Sequence, residues 1–154
     1  MISIKDVSFL NKKALIRVDF NVPFNGDIIS DNSRILAAIP TINYVLKNGG
    51  SCIVMSHLGR PKKREKKLSL IRIKKELERL LGLPVIFVED CIGPEANKAS
   101  QGLMPGQVLL LENLRFHKEE VAGDEKFAEK LSCLADIYIN DAYGTTHRAH
   151  ASTS

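Results

Sequence analysis

Cys52-Ile53-Val54-Met55-Ser56-His57-Leu58-Gly59-Arg60-Pro61 decides how this chain is read: an unbroken apolar run, then a polar loop carrying a histidine and an arginine. A run without polar alternation suits a strand covered on both faces, as in a parallel sheet. The pattern recurs three times. Ala14-Leu15-Ile16-Arg17-Val18 leads into Asp19-Phe20-Asn21, and Val108-Leu109-Leu110-Leu111 leads into Glu112-Asn113-Leu114-Arg115-Phe116-His117. Ile137-Tyr138-Ile139 leads into Asn140-Asp141-Ala142-Tyr143-Gly144, with Arg148 and His150 close behind. In an open parallel α/β sheet, ligands bind beyond the carboxyl ends of the strands. Four such loops converging there predict a cationic site for a small anion.

Between these runs the period changes to that of a helix. Val85-Ile86-Phe87-Val88 adds a fifth strand. Ile35, Leu36, Ile39, Ile42, Val45 and Leu46 follow helical spacing and stop at Asn48-Gly49-Gly50. Pro40 sits inside this pattern, so the helix proper is expected to begin there, with Arg34 in or near the turn before it. Ser69 as N-cap, a stripe of Leu70, Ile73, Leu77, Leu80 and Leu81, and a stop at Gly82 predict a second helix. Gly93-Pro94-Glu95 opens a third that stops before Gly102, and Asp124 to Leu134 forms a fourth with Phe127, Leu131 and Leu134 inward. A β-hairpin is expected around Asn25-Gly26-Asp27, between Val22 and Ile29. The alternation predicts one doubly wound α/β domain, a mainly parallel, Rossmann-like sheet with helices on both faces.

Composition bounds the rest. The 154 residues suit one domain able to bury a full core. Six of the eight residues from Arg60 to Lys67 are Lys or Arg, so much of the net charge of +4 is local. Such a run reads as a solvated loop, or as a field that draws in anionic substrates or nucleic acid. Cys52, Cys91 and Cys133 are odd in number and widely spaced, which is neither a disulfide framework nor a zinc site. Cys52 and Cys133 lie in apolar periodic segments and read as small buried hydrophobes. The opening Met1-Ile2-Ser3-Ile4-Lys5-Asp6 lacks a basic n-region, and no apolar run approaches the roughly 20 residues that span a bilayer. A cytoplasmic protein without membrane contact is expected.

Nucleotide signatures are missing: no G-x-G-x-x-G follows a strand and there is no G-K-[ST]. His147-Arg148-Ala149-His150 sets two histidines three apart, but no H-E-x-x-H or cysteine pair accompanies them, and no metal is assigned. Arg34, Arg60, Arg115 and Arg148 stand out. Each alone reads as a surface or salt-bridge residue. Together they favour one edge, three following strand ends and one preceding a helix, and the arginine fork matches phosphate and carboxylate. His57 alone reads as a packed or capping histidine. Beside Leu58-Gly59-Arg60-Pro61 it reads better as a ligand residue, because Gly59 allows close backbone approach and Pro61 stiffens the turn. Asp19 and Asn21 either hold an arginine in place or accept hydrogen bonds from a ligand hydroxyl, and both roles are compatible.

The residues carrying this pattern also resemble a known family. Arg17-Val18-Asp19-Phe20-Asn21-Val22-Pro23, Asp31-Asn32-Ser33-Arg34-Ile35, Ser56-His57-Leu58-Gly59-Arg60-Pro61, Leu111-Glu112-Asn113-Leu114-Arg115-Phe116-His117 and the stretch from Asn140 to Ser152 are similar to the signatures of phosphoglycerate kinase, in order and spacing. Ser33, Tyr143 and Thr146 depart from the family's common residues, none at a proposed ligand contact. The resemblance covers the whole chain but only the N-terminal domain of the family. A segment of fourteen residues after Asn140, with no element to tie it down, looks like a cut. Residues 1–154 are therefore expected to be a truncated N-terminal substrate-binding domain that lacks the nucleotide-binding C-terminal domain.

The resemblance implies glycolytic phosphoryl transfer from 1,3-bisphosphoglycerate to ADP, giving 3-phosphoglycerate and ATP, with this fragment inactive alone. It implies substrate contacts at Asp19, Phe20, Asn21, Arg34, His57, Leu58, Gly59, Arg60, Arg115 and Arg148. Arg34 is expected to be the catalytic residue facing the transferring group, with His57, Arg60, Arg115 and Arg148 gripping the far phosphate. MgATP or MgADP belongs to the missing domain, and no cofactor is expected in this chain. The expected partners are the small-molecule substrate and the enzyme's own C-terminal domain, with no nucleic acid, in a monomer. Two other classes compete. A nucleic-acid or polyanion module would use Lys62 to Lys67, but no aromatic residue lies in that run. A Rossmann-like dehydrogenase domain is disfavoured by the missing glycine fingerprint.

Overall fold

A computed structural model of the chain describes residues 2–59, 61, 64–117, 125–141 and 148–151, the backbone alone at 2–3, 125–128 and 148–151. In chain order the strands are β1 (Ile2–Ser3), β2 (Lys13–Arg17), β3 (Phe24–Asn25), β4 (Ile28–Ile29), β5 (Ser51–Met55), β6 (Val85–Val88), β7 (Val108–Leu111), β8 (Ile137–Asn140) and β9 (Arg148–Ala151). The helices are α1 (Ser33–Lys47), α2 (Ile71–Leu81), α3 (Pro94–Gln101) and α4 (Glu125–Ser132). All five expected strands are present. They lie side by side in the order β8-β2-β5-β7-β6, every pair parallel.

Period-two alternation divides these strands between two cores. Ala14, Ile16, Cys52, Val54, Val108 and Leu110 face one side and pack with Ile35, Ile42 and Val45 of α1 and Ile73 and Leu77 of α2. Leu15, Ile53, Met55, Leu109 and Leu111 face the other, against Ala96 of α3 and Leu131 of α4. The chain moves one way across the sheet from β2 through β5 to β6, then back through β7 to β8. Crossovers of one hand put the helices of the outward and return journeys on opposite faces. The strands carry continuous apolar runs because both faces are covered.

The structure departs from the sequence reading in three places. First, α1 begins at Ser33, with Pro40 inside it and Arg34 in its first turn. Pro40 deprives the Leu36 carbonyl of its donor, but both residues are exposed, so water can take the bond. The start is set at Asp31, whose Oδ1 accepts from the Ser33 N–H at 2.9 Å. That bond, then the Ser33 hydroxyl, holds the Asp31 carboxyl below its usual range. Second, Cys133 is exposed, because in the turn after α4 it points away from the core that its neighbours Leu131 and Leu134 enter. Third, Arg148–Ala151 is not an untied tail: it is strand β9, antiparallel to β8 on one side and to β1 on the other. A polar sequence can do this because backbone groups make the pairing.

The other boundaries agree. The hairpin is β3–β4, turned at Gly26 with φ +64°, and Arg72 of α2 holds it by stacking 3.7 Å from the Phe24 ring centroid. Gly82 ends α2 in the left-handed region at φ +70°. Leu131 and Leu134 are buried as expected; the side chain of Phe127 lies outside the described residues. Among the described residues, no helix is long and apolar enough to cross a membrane.

Candidate functional site

The carboxyl ends of β2, β5, β7 and β8 share one edge, and their loops bond to one another as soon as the strands end. Met55 O accepts from the Val18 N–H at 2.9 Å, Arg17 O from Asp141 at 2.7 Å, and Ser56 O from Leu114 at 3.0 Å. Side chains extend the lock. Ser56 Oγ accepts from the Phe20 N–H at 2.9 Å and donates to His57 O at 2.9 Å. Asn21 Oδ1 accepts from the Gly59 N–H at 2.8 Å. Gly59 has φ +63°, so its conformation calls for glycine, and a Cβ there, 2.7 Å from Leu68 Cδ2, would also have to move the flexible end of that side chain.

Asn113 is the centre of this lock. It is wholly buried. Its Oδ1 accepts from the N–H groups of Leu58 at 3.2 Å and Arg115 at 3.0 Å. Its Nδ2 donates to the carbonyls of Leu58 at 2.8 Å and Leu68 at 2.9 Å. The amide's two donors and two acceptor sites are all used, which a buried amide requires. Next to it the buried carboxylate of Glu112 accepts from the Ser69 hydroxyl and from the N–H groups of Leu70 and Asn113, the latter two at 2.8 Å. Ser69 Oγ in turn accepts from the Ile71 N–H at 3.2 Å. The cap position of α2 falls on Leu70, one residue after the predicted Ser69; Ser69 still bonds the first residue of the helix, and an anion from another loop adds acceptors where the helix end is positive.

Arg34 reaches across from the first turn of α1. Its Nη1 lies 3.1 Å from both Asp19 carboxylate oxygens and donates to Asn21 O at 3.0 Å. Asp19 is itself fixed, because its Oδ1 accepts from the Asn21 N–H at 3.1 Å. Both contacts use one guanidinium nitrogen, and the Arg34 side chain is 51% exposed, so its remaining donors stay available to a ligand. The holding role considered for Asp19 is what this geometry displays.

Asp19, Asn21, Arg34 and Gly59 are therefore joined directly, and Phe20, His57, Leu58 and Arg115 through Ser56 and Asn113. Phe20 and Leu58 turn their side chains into the core and shape the loops from within. His57 and Arg115 are half-buried. Arg60 lies outside the described residues. The Arg148 backbone is placed beside Asn140 and Ser3, on the β8 side of the edge; its side chain is outside the described residues. His117, quoted with the same loop as Arg115, goes elsewhere: its Nε2 is 2.7 Å from Asp90 Oδ1.

Around Asp90 a second cluster forms. Arg64 Nη2 lies 3.2 Å from Asp90 Oδ2. Asp90, Cys91 and His117 present oxygen, sulfur and nitrogen atoms within 4.8 Å of one another, a donor set that suits a transition metal. The Asp90 carboxylate there already has a hydrogen bond to His117 and an ion pair with Arg64. Beyond Arg64 an open cleft of about 1020 Å³ is lined by Arg64, Lys66, Arg72, Phe87 and Phe116 among others; of the sequence-predicted contacts whose side chains are described, none lines it. The loop edge is a platform, whereas this cleft is a gap between α2 and the outer strand.

Sequence reading missed Ser56, Glu112 and Asn113 as organisers, and Asp90 and Arg64 as a pair. One signal was available for the first three: polar residues placed directly after fully apolar strands, within stretches already singled out. Nothing local pointed to Asp90.

Comparisons with known proteins agree with one another. The sequence model of the family described as "Phosphoglycerate kinase" matches residues 4–154. A phosphoglycerate kinase of Moorella thermoacetica is 55% identical over 153 residues, covering 99% of this chain and 39% of the relative. One of Candida maltosa is 48% identical over 168 residues, covering 98% and 40%. Among solved structures, the phosphoglycerate kinase of Pyrococcus horikoshii superposes with a TM-score of 0.83 at 32% identity, covering 92% of this chain and 36% of that one. That of Coxiella burnetii gives 0.81 at 34% identity, covering 99% and 38%. The chain thus spans about two fifths of the length of these relatives.

Proposed function

The chain belongs to the phosphoglycerate kinase family, and on that premise we propose that residues 1–154 form the N-terminal, phosphoglycerate-binding domain of such a kinase. The observation that carries the reading is the loop edge, where Arg34 is held ready by Asp19 and the Asn21 carbonyl beside the Asn21–Gly59 and Asn113 locks. The substrate is 3-phosphoglycerate, or 1,3-bisphosphoglycerate in the other direction. One end carries a phosphate and the other a carboxylate or acyl phosphate, so a basic, preorganised edge answers both ends.

The proposed reaction moves the acyl phosphate's phosphoryl group to ADP in a cytoplasmic monomer. Magnesium nucleotide is received by a C-terminal domain, and the chain shown here has no phosphate-cradling glycine loop of its own. Phosphoryl transfer relies on positioning and on neutralising charge on the equatorial oxygens. In the reverse direction the nucleophile is already an ionised carboxylate, so Asp19 has no proton to remove and serves instead to hold Arg34. Arg34 faces the transferring group. His57, Arg60, Arg115 and Arg148 grip the distant phosphate, with the Gly59 backbone nearby.

The polyanion reading has less behind it. Arg64, at the centre of the basic run, is engaged with Asp90 and the Glu89 carbonyl, and Lys67 lies 4.0 Å from Glu65.

Calorimetric titration with 3-phosphoglycerate tests the substrate assignment: saturable binding is expected, and its absence in the complete polypeptide sinks the reading. Steady-state kinetics then separate the roles. Arg34→Ala should lower kcat by about 10²–10³, as removal of a donor at developing charge does elsewhere. Arg60→Ala should mainly raise KM, because its phosphate has the same charge in ground and transition states. A kcat within about twofold of wild type in Arg34→Ala removes the role assigned to it.

A further inference from the structure

Asp90, in the loop after β6, reaches both the loop after β7, whose strand is its neighbour in the sheet, and the loop after β5, whose strand is not. Among the described residues β6 is an edge strand paired with β7 alone, and β5 lies on the far side of β7. Backbone ladders therefore do not set the spacing between the loop after β5 and the loop after β6. Side chains do. Asp90 Oδ1 accepts from His117 Nε2 at 2.7 Å and from the Cys91 N–H at 2.8 Å, while Oδ2 faces Arg64 Nη2 at 3.2 Å. Arg64 Nη1 donates to Glu89 O at 2.9 Å, and the guanidinium carbon lies 5.6 Å from the centroid of the Phe116 ring. The carboxylate is thus anchored to its own loop and grips one loop at Arg64 and another at His117.

Those two loops are already tied together once, at their near ends, where Asn113 binds Leu58 and the Arg115 N–H. The Asp90 contacts tie them a second time, further from the strands. Along the chain, Arg60 lies between Leu58 and Arg64, and Arg115 lies between Asn113 and His117. Each of these arginines is therefore flanked by one tie at Asn113 and one at Asp90. A loop pinned at both ends holds its side chain with less freedom than a loop pinned at one, which lowers the ordering cost on binding.

Resting on the proposed function, we infer that Asp90 is a positioning residue for the phosphate grip: through Arg64 and His117 it holds the loops after β5 and β7 at the separation at which Arg60 and Arg115 serve one anion. Asp90 touches no substrate in this scheme. Its effect passes through the two arginine loops, whereas the Arg34–Asp19 contact at the start of α1 is independent of it.

The test is a double-mutant cycle in the complete polypeptide, with the dissociation constant for 3-phosphoglycerate measured by calorimetry. Asp90→Asn keeps the side-chain shape and removes the charge; Arg64→Gln, at a side chain 51% exposed, is the second variant and should fold whatever happens to the first. Each is expected to weaken binding about three- to tenfold, the scale of one or two partly exposed ion pairs, with kcat within about twofold of wild type. On an Arg115→Ala background the Asp90→Asn loss should shrink to less than about twofold, and on an Arg34→Ala background it should persist in full. Non-additivity with one arginine and not the other separates positioning from general destabilisation. Binding within twofold of wild type in both folded variants overturns the inference, as does an equal loss on the two backgrounds. Failure of the wild-type protein to bind 3-phosphoglycerate is recognisable at once, because it defeats the proposed function itself and this inference with it.

Discussion

Asn113 and Asp90 tie the same pair of loops, and they do it with opposite physics. Asn113 is wholly buried and neutral, and joins Leu58, Leu68 and Arg115 by four hydrogen bonds. Asp90 is charged, with 31% of its side chain exposed, and joins Arg64 by an ion pair and His117 by a hydrogen bond. A buried amide has no water to replace a lost partner, so each bond there is costly to leave unmade. A partly exposed ion pair trades protein partners for water and salt at small cost. The first kind of tie therefore fixes the fold of the loops, and the second adjusts their spacing.

The largest effect is expected from Asn113→Ala. It strands two N–H groups and two carbonyls in a buried place, and should cost about 3 kcal/mol or more. Asn113→Asp should not restore stability, since it sets an anion against the Leu58 and Leu68 carbonyls that the amide's nitrogen now satisfies. Denaturant unfolding of both variants checks this. A loss below about 1 kcal/mol in Asn113→Ala would make the two ties alike and end the contrast.

A smaller effect is expected at Gly59, which the same buried lock holds in place. Alanine there must keep φ +63° and push the flexible end of Leu68 aside. The cost is about 1–2 kcal/mol for the backbone conformation. A thermal melt lowered by several degrees is the expected result, and an unchanged melt would show that the loop relaxes without its left-handed residue.

The smallest effect on stability belongs to Asp90, and it alone should depend on pH and salt. Burial pushes its carboxyl up, but the His117 hydrogen bond, the Cys91 N–H, the ring's charge and the Ile92 N–H together leave it below the usual range. A carboxyl lowered in the folded state stabilises fully above the unfolded value, near pH 4, and loses that contribution as pH falls through its folded value. Asp90→Asn should therefore differ from wild type by less than about 1 kcal/mol at pH 7. The difference should fade at pH 3 and in high salt. Denaturant midpoints at both pH values measure it, and a difference that grows at pH 3 contradicts the sign.

The strands and most of the helices were legible because their determinants are local. Continuous apolar runs mark strands covered on two faces, and Gly82 marks the end of α2 with its left-handed conformation. The four-loop edge was legible for a related reason: in parallel strands the loop that follows each run must emerge on the same side. α1 was read short because Pro40 is a local stop signal, whereas its exposed position in the fold lets the helix continue. β9 was not legible at all, since its pairing with β8 and β1 uses backbone groups that any residues supply.

The one-dimensional pattern of residues determined the class of fold, the edge at which a ligand would be met and the residue types available to meet it, because periodicity and turn chemistry act over a few positions. Only the tertiary structure decided which of those residues touch. Asn113 finds Leu58 across 55 positions, Arg34 finds Asp19 across 15, and Asp90 finds His117 across 27. Contacts of that separation depend on strand order and on how far each loop travels after its strand ends. Those quantities are set by packing two cores against one sheet, and no short stretch of the chain contains them.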